Sequence, residues 1–237
     1  TEGVRARRPV VLFAGDTAIE NPQNLQNIDQ REIVKATGAG FEQVRSPEKI
    51  SEDVANAFFR AKEEKRPIVL NMPADYMWQE VNYSPIIHQT FNAPTTITSG
   101  QIFENAIGLI ASAKRPLILA GIGAVDARDE LIRLAKRIDA ILTTTLKANG
   151  LFTNVNCSVG ICGTLSTQAG YAAINAADVI VSFGASLSNF TTDHGLLFEG
   201  KRVVQISDDS RDINHHFRPD LALIADPKQT ARNIQYW

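Results

Sequence analysis

Two short apolar runs end in glycine where a loop must begin: residues 115–123 read RPLILAGIG and residues 177–184 read ADVIVSFG. Gly121 and Gly123 stand in the spacing G-x-G, with Ile122 between them. Glycine at that spacing lets the backbone come close to a phosphate, and a following helix adds N–H groups and the positive end of its dipole. The third glycine of the dinucleotide fingerprint would fall at position 126, where the chain has Asp126, so the pattern fits a plain tight strand-to-helix turn equally well.

Three further stretches carry chemistry at the ends of apolar runs. Residues 143–150, TTTLKANG, bring hydroxyls including Thr144 and one cation, Lys147, to where a phosphate would lie, or else form a capped loop with a solvated lysine. Gly184-Ala185-Ser186 closes the second glycine-ended run. Asp208-Asp209 follows a late strand, where an acid holds a ribose hydroxyl or caps the next turn. The hydrolytic and nucleotide-cleaving patterns G-x-S-x-G, His-Glu-x-x-His and G-x-x-x-x-G-K-[S/T] do not occur. Cys157 and Cys162 have four residues between them and no second pair nearby, and His215-His216 is remote, so a cysteine-held metal is not expected. Both cysteines read as reduced structural thiols of a cytoplasmic protein.

The elements that must position these residues follow from periodicity. PVVLFA at 9–14 reads as a strand, and a polar loop leads to a short helix near 31–36. A strand follows at 41–44. A helix starting at Ser46-Pro47 carries Ile50, Val54, Ala57, Phe58 and Ala61 on one stripe, and a strand at 68–72 completes a β–α–β–α–β pattern. Residues 79–98 contain Pro85 and Pro94 and no sustained period, which marks a linker between residues 1–78 and a second domain at 99–237.

That second domain is expected to begin with an N-cap at Thr98-Ser99 and a helix to 113 whose inner face includes Ile102, Phe103, Ala106, Ile107 and Ile110. Strands at 117–120, 141–144, 179–183, 203–206 and 221–224 then alternate with helices at 126–138 and 164–175, a short turn near 212 and a last helix from Pro227. Alternation of this kind predicts an α/β fold, a doubly wound parallel sheet.

Bulk properties narrow the classes. The 237 residues are 44% hydrophobic and 21% charged, with net charge −2. Such a balance argues against a nucleic-acid or acidic-membrane surface. No run approaches the ~18 apolar residues of a membrane span. The basic residues before VVLFAG faintly suggest a signal peptide, but the short run ends in Gly15-Asp16 and reads as a core strand.

Taken together, these segments resemble the thiamine-diphosphate-dependent enzymes of the acetolactate synthase and 2-oxo acid decarboxylase type. PVVLFAGD, LQNID (residues 25–29) and RPIVLNMPADY are similar to the second half of that family's pyrimidine-binding domain. RPLILAGIGA, TTTLKANGLF, ADVIVSFGASL, VVQISDD and IADPKQT are similar to its Rossmann-like central domain. The resemblance implies decarboxylation or carboligation of a 2-oxo acid by a homo-oligomer, a dimer or tetramer, with thiamine diphosphate and Mg²⁺.

Gln26 matches a family glutamine near the thiamine site. The family's catalytic glutamate and the Gly-Asp-Gly motif that holds Mg²⁺ and diphosphate have no counterpart here. The resemblance therefore implies an internal part of an enzyme: no catalytic or metal-binding residue of its own, and no catalysis alone. In some relatives the central domain binds FAD or ADP. By resemblance the nucleotide-facing positions are Gly121, Ile122, Gly123, Thr144, Lys147, Gly184, Ala185, Asp209 and Asp226. Flavin-binding relatives often carry arginine and aspartate at the places of Ser186 and Ser207. Losing those charges weakens phosphate binding. The competing readings are a stand-alone adenine-nucleotide module and a purely structural domain.

Overall fold

A computed structural model describes residues 1–83, 85–86 and 100–237. The chain divides into two compact units, Thr1–Phe91 and Asn92–Trp237. The expected N-cap at Thr98-Ser99 lies outside the described residues, and so does most of the expected linker. Its described residues, 79–83 and 85–86, lie in no helix or strand.

The first unit opens with one helical turn, α1 (Glu2–Arg5), and strand β1 (Val11–Asp16). Helix α2 (Gln30–Ala36) follows, held at its start by Asp29, whose carboxylate accepts from the Glu32 N–H at 3.0 Å. Strand β2 (Gly40–Gln43), helix α3 (Ile50–Glu64), strand β3 (Ile68–Pro73) and the short α4 (Ala74–Met77) complete it. All pairing is parallel, in the order β1-β3-β2, so the middle strand is the last in sequence. Right-handed crossovers then place α2 and α3 on opposite faces. The core is Val44, Ala57, Ala61, Ile68 and Leu70. Pro47 opens a 3₁₀ turn before α3, whose buried face is narrower than its periodicity predicts: Ala57 and Ala61 are buried, whereas Phe58 is exposed.

The second unit is a six-stranded parallel sheet wound on both faces. In chain order it comprises α5 (Gln101–Ala111), β4 (Pro116–Ala120), α6 (Arg128–Ile138), β5 (Ile141–Thr144), β6 (Ser158–Ile161), α7 (Gln168–Asn175), β7 (Val179–Phe183), α8 (Asn189–Thr192), β8 (Arg202–Ser207), β9 (Leu221–Ile224) and α9 (Pro227–Tyr236). The spatial order β6-β5-β4-β7-β8-β9 is the 3-2-1-4-5-6 order of the dinucleotide-binding fold, counted from β4.

Alternate residues of each strand feed two cores. Ile118, Val181, Phe183, Val204 and Ile206 pack with Phe103 of α5, Leu131 and Leu134 of α6 and Ile234 of α9. Leu117, Leu119, Ile180 and Val203 pack against Ile174 of α7 and the Leu197–Phe198 turn. On α5 Phe103, Ala106 and Ile110 are buried and Ile107 packs beside them, partly buried, whereas Ile102 is exposed.

Two carboxylates tie the helices and strand ends. Glu130, buried on α6, takes two guanidinium N–H groups of Arg232 on α9, at 3.0 and 2.7 Å. Asp178 accepts the backbone N–H groups of Lys114 and Arg115 at 2.8 and 2.9 Å, fastening the start of β4 beside β7. Burial pushes both carboxyls upward. Their hydrogen bonds, together with the cations beside Glu130, outweigh it and hold both below the usual carboxylate range.

Candidate functional site

In an open parallel sheet, ligands enter at the carboxyl ends of the strands, where the winding direction reverses. Here the chain leaves β4 toward β5 and returns on its other side through β7. The reversal therefore lies between the loops that carry Gly121–Gly123 and Gly184–Ala185. The structure brings these five residues together.

The two loops occupy one another's space. The Gly121 N–H donates to the Phe183 carbonyl at 2.8 Å, the Gly123 N–H to the Gly184 carbonyl at 3.0 Å, and the Ala124 N–H to the Gly121 carbonyl at 3.0 Å. A Cβ on Gly121 would stand 2.1 Å from the Gly184 oxygen, and one on Gly184 would stand 2.4 Å from the Gly123 carbonyl carbon. Gly184 also takes a left-handed φ of 60°. The glycines thus permit backbone-to-backbone contact, and the N–H groups that would cradle a phosphate already donate within the protein.

The remaining candidates spread along the same edge. Thr144 ends β5 in register with Ala120, buried, its hydroxyl without a protein partner. Lys147 lies in the 3₁₀ turn beyond it and faces solvent. Asp209 and Asp226 follow β8 and β9 as caps. The Asp209 carboxylate accepts from the Arg211 N–H at 3.0 Å and from its guanidinium at 2.8 and 2.7 Å. The Asp226 carboxylate accepts from the Gln229 N–H at 2.6 Å. Ser207 donates to Asp212 at 2.9 Å. In the glycine loops the N–H groups of Gly121, Gly123 and Ala124 already have acceptors within the protein.

In the first unit Gln26 lies exposed in the loop after β1, its backbone N–H donating to Asn24 Oδ1 at 2.9 Å. The polar centre at the carboxyl ends of that sheet is elsewhere. Asn71 of β3 is fully buried; its amide donates to Asp16 at 2.8 Å and to Gln30 at 3.1 Å, and its own Oδ1 has no partner. Gln30 in turn donates to the Gly15 carbonyl at 2.9 Å. A comparable pair sits in the second unit: Ser182 and Gln205, register partners on β7 and β8, leave Ser182 Oγ and Gln205 Oε1 unmatched. Sequence reasoning passed over all of these. The available signal was a single polar residue inside each of the apolar runs IVLNMP, VIVSF and VVQIS.

Among the described residues neither cysteine lies in a cluster that could hold a metal ion. Cys162 is buried, donates to the Thr191 carbonyl at 3.4 Å, and burial pushes its thiol up to about 12. Both cysteines are free. Among the described residues no group of three or more His, Cys, Asp or Glu is placed to hold a metal ion, and no helix is long and apolar enough to cross a membrane.

Comparison with known proteins bears on this arrangement directly. The family described as thiamine pyrophosphate enzyme, central domain, matches residues 103–234. A probable acetolactate synthase large subunit of Methanocaldococcus jannaschii is 27% identical over 95% of this chain and 40% of its own length. The acetolactate synthase large subunit of Parasynechococcus marenigrum is 31% identical over 77% of the chain and 31% of its own. A sulfoacetaldehyde acetyltransferase of Castellaniella defragrans is 30% identical over 81% of the chain and 33% of its own. The chain therefore spans between about a third and two fifths of the curated relatives it matches.

Proposed function

The chain belongs to the thiamine pyrophosphate enzymes through their central domain, and from that premise we propose that it serves an enzyme that decarboxylates or carboligates a 2-oxo acid with thiamine diphosphate and Mg²⁺. The observation that carries this reading is the match over residues 103–234, supported by similarity to one probable acetolactate synthase large subunit across 95% of the chain. In this reading the enzyme is a cytoplasmic homo-oligomer, residues 1–78 are part of its pyrimidine-binding domain, and residues 99–237 are its central domain.

Thiamine diphosphate, held elsewhere in the enzyme, would supply a nucleophilic carbon and an electron sink. The residues described do not fit Mg²⁺ or the diphosphate, so no step is assigned to them. Their role is architectural, with Gln26 as the side chain proposed to face the cofactor. The contact between the Gly121–Gly123 and Gly184 loops favours this structural role for the central domain over FAD or ADP binding, because the N–H groups of Gly121, Gly123 and Ala124 are already used.

Two polypeptides test the proposal: the 237-residue chain and the product of its complete reading frame. With thiamine diphosphate, Mg²⁺ and pyruvate or a related 2-oxo acid, the complete product is expected to release CO₂ or form a carboligation product, and the 237-residue chain alone is not. Turnover by the chain alone, or failure of the complete product to bind thiamine diphosphate, refutes it.

A further inference from the structure

The amino edge of the second sheet, opposite the glycine loops, holds an open cleft. Its volume is about 770 Å³, within the ~300–1,000 Å³ span of small-molecule sites. Two turns build it: residues 194–201, which lead into β8, and residues 217–220, which lead into β9.

The first turn has an unusual backbone. Asp193, His194 and Gly195 take left-handed φ values of 51°, 56° and 91° in succession. Residues with a side chain adopt that conformation reluctantly, so the run needs support from outside itself. The Tyr171 hydroxyl of α7 supplies some of it by donating to the Asp193 carboxylate at 3.0 Å, and the Gly195 N–H donates to Thr192 Oγ1 at 3.0 Å. His194 lines the cleft from this fastened turn. Phe198 and Phe217, edge to face with ring centres 5.3 Å apart, join the two turns and give the cleft an apolar wall.

The charges around that wall do not balance. Two acids line the cleft, Glu199 and Asp220. The Asp220 carboxylate is spent inside the protein, accepting from the Arg202 guanidinium at 2.6 Å and from the Val203 N–H at 2.7 Å. Lys201 and Arg218 also line the cleft, and neither forms an ion pair among the described residues. The Lys201 ammonium donates to the Asn175 carbonyl at 2.8 Å, which leaves two of its three N–H groups. The Arg218 guanidinium and the His194 imidazole have no hydrogen-bond partner among the described residues. Burial pushes the Lys201 pKa down, and the charge of Arg115 pushes it the same way. Cations gathered without a counter-charge disfavour one another, and an anion placed among them relieves that cost.

We propose that this cleft binds a small phosphate monoester, with its dianionic head among Lys201, Arg218 and His194 and its apolar body against Phe217. The Arg218 fork can hold two phosphate oxygens at once, Lys201 acts as a point charge, and His194 adds a further N–H. Two full positive charges match a dianion, whereas a single carboxylate would leave one of them uncompensated. The aromatic wall favours an organic ester over free phosphate.

Phenyl phosphate is the probe, with inorganic phosphate and benzoate beside it. Each is titrated into the 237-residue chain at constant ionic strength and followed by amide NMR. With phenyl phosphate the amides of Gly195, Gly200, Lys201 and Phe217 should shift and saturate, while those of Gly121, Gly123 and Gly184 stay still. Inorganic phosphate lacks the ring and benzoate lacks the second charge, so each should bind roughly tenfold more weakly. Arg218→Gln removes an exposed guanidinium, so it should leave the urea midpoint unchanged and weaken phenyl phosphate binding roughly tenfold. Glu199→Gln removes the remaining acid of the cleft and should tighten binding, an effect that shrinks at high salt. The proposal is overturned by shifts that never saturate, by saturation centred on the glycine loops, or by affinity no greater than that for benzoate or inorganic phosphate. Binding indifferent to Arg218→Gln or to Glu199→Gln overturns it equally.

Discussion

Gly121→Ala is the sharpest probe of the joined loops, because both groups its methyl would strike are backbone. The new Cβ would stand 2.1 Å from the Gly184 oxygen and 2.6 Å from the Ala185 Cα, and neither can rotate away as a side chain would. Separating the loops enough to fit it overpacks the site, at about 1–3 kcal/mol. It also stretches the bonds from Gly121 to Phe183 and from Gly123 to Gly184, each worth about 1 kcal/mol net. These costs overlap, and a loss of about 3 kcal/mol is expected. For a unit of this size that corresponds to a fall in Tm of about 10 °C.

Two other glycines calibrate the measurement. Gly200 has a φ of 72° but nothing within 4 Å of an added Cβ, so Gly200→Ala should cost about 1 kcal/mol, for backbone conformation alone. Gly108 lies exposed within α5 with open space and no left-handed φ, so Gly108→Ala should stabilise by about 0.5–1 kcal/mol. Urea unfolding of the three variants, followed by circular dichroism, ranks them. If Gly121→Ala is no more damaging than Gly200→Ala, the loop contact yields cheaply and the argument from close approach is wrong.

Other outcomes follow from the same geometry. Iodoacetamide at pH 8 should modify the half-buried Cys157 and leave Cys162 intact until the chain unfolds, because burial raises the Cys162 thiol to about 12; equal rates in the native protein would contradict this. Ser182→Ala should be neutral or stabilising, since its buried hydroxyl has no partner to lose, whereas Ser207→Ala should cost about 1 kcal/mol through the bond to Asp212. The reverse order in urea midpoints would count against the hydrogen-bond assignment. Acid should weaken the second unit. Glu130 and Asp178 release protons more readily folded than unfolded, so their contribution is complete above their ordinary values of 4.5 and 3.8 and is lost as pH falls below these through their lower folded values. Glu130→Gln should flatten the loss of stability between about pH 5 and pH 3, and an unchanged slope would show that the carboxylate is not the cause.

The fold was legible where one residue's neighbours in sequence decide its environment. Apolar runs of four to six residues separated by amphipathic helices predict the parallel sheets, and the structure has them. Strand β6 escaped because SVGI is short, contains Gly160 at a φ of 82°, and joins β5 through a register shift. The helix expected from Thr164 starts at Gln168 because Thr167 caps it, its hydroxyl accepting from the Gly170 N–H at 3.0 Å. The exposed Phe58 and Ile102 show that a stripe of apolar spacing sets which face is buried, not how wide the buried face is. The site was harder to read for a physical reason. Whether Gly121 meets a phosphate or Gly184 depends on a contact between residues more than sixty positions apart, and both readings demand the same glycine. Asp209 and Asp226 show the same ambiguity at shorter range, since an acid after a strand serves a ribose or a helix N-terminus with equal ease. Here each serves the backbone beside it.

The joined loops also determine how the second unit can move. The two halves meet where β4 pairs with β7, from Pro116 beside Val179 to Ala120 beside Phe183. In this chain that seam is riveted by two backbone hydrogen bonds at one end and by the Asp178 carboxylate at the other. The β4–β5–β6 half and the β7–β8–β9 half must therefore travel as one plank.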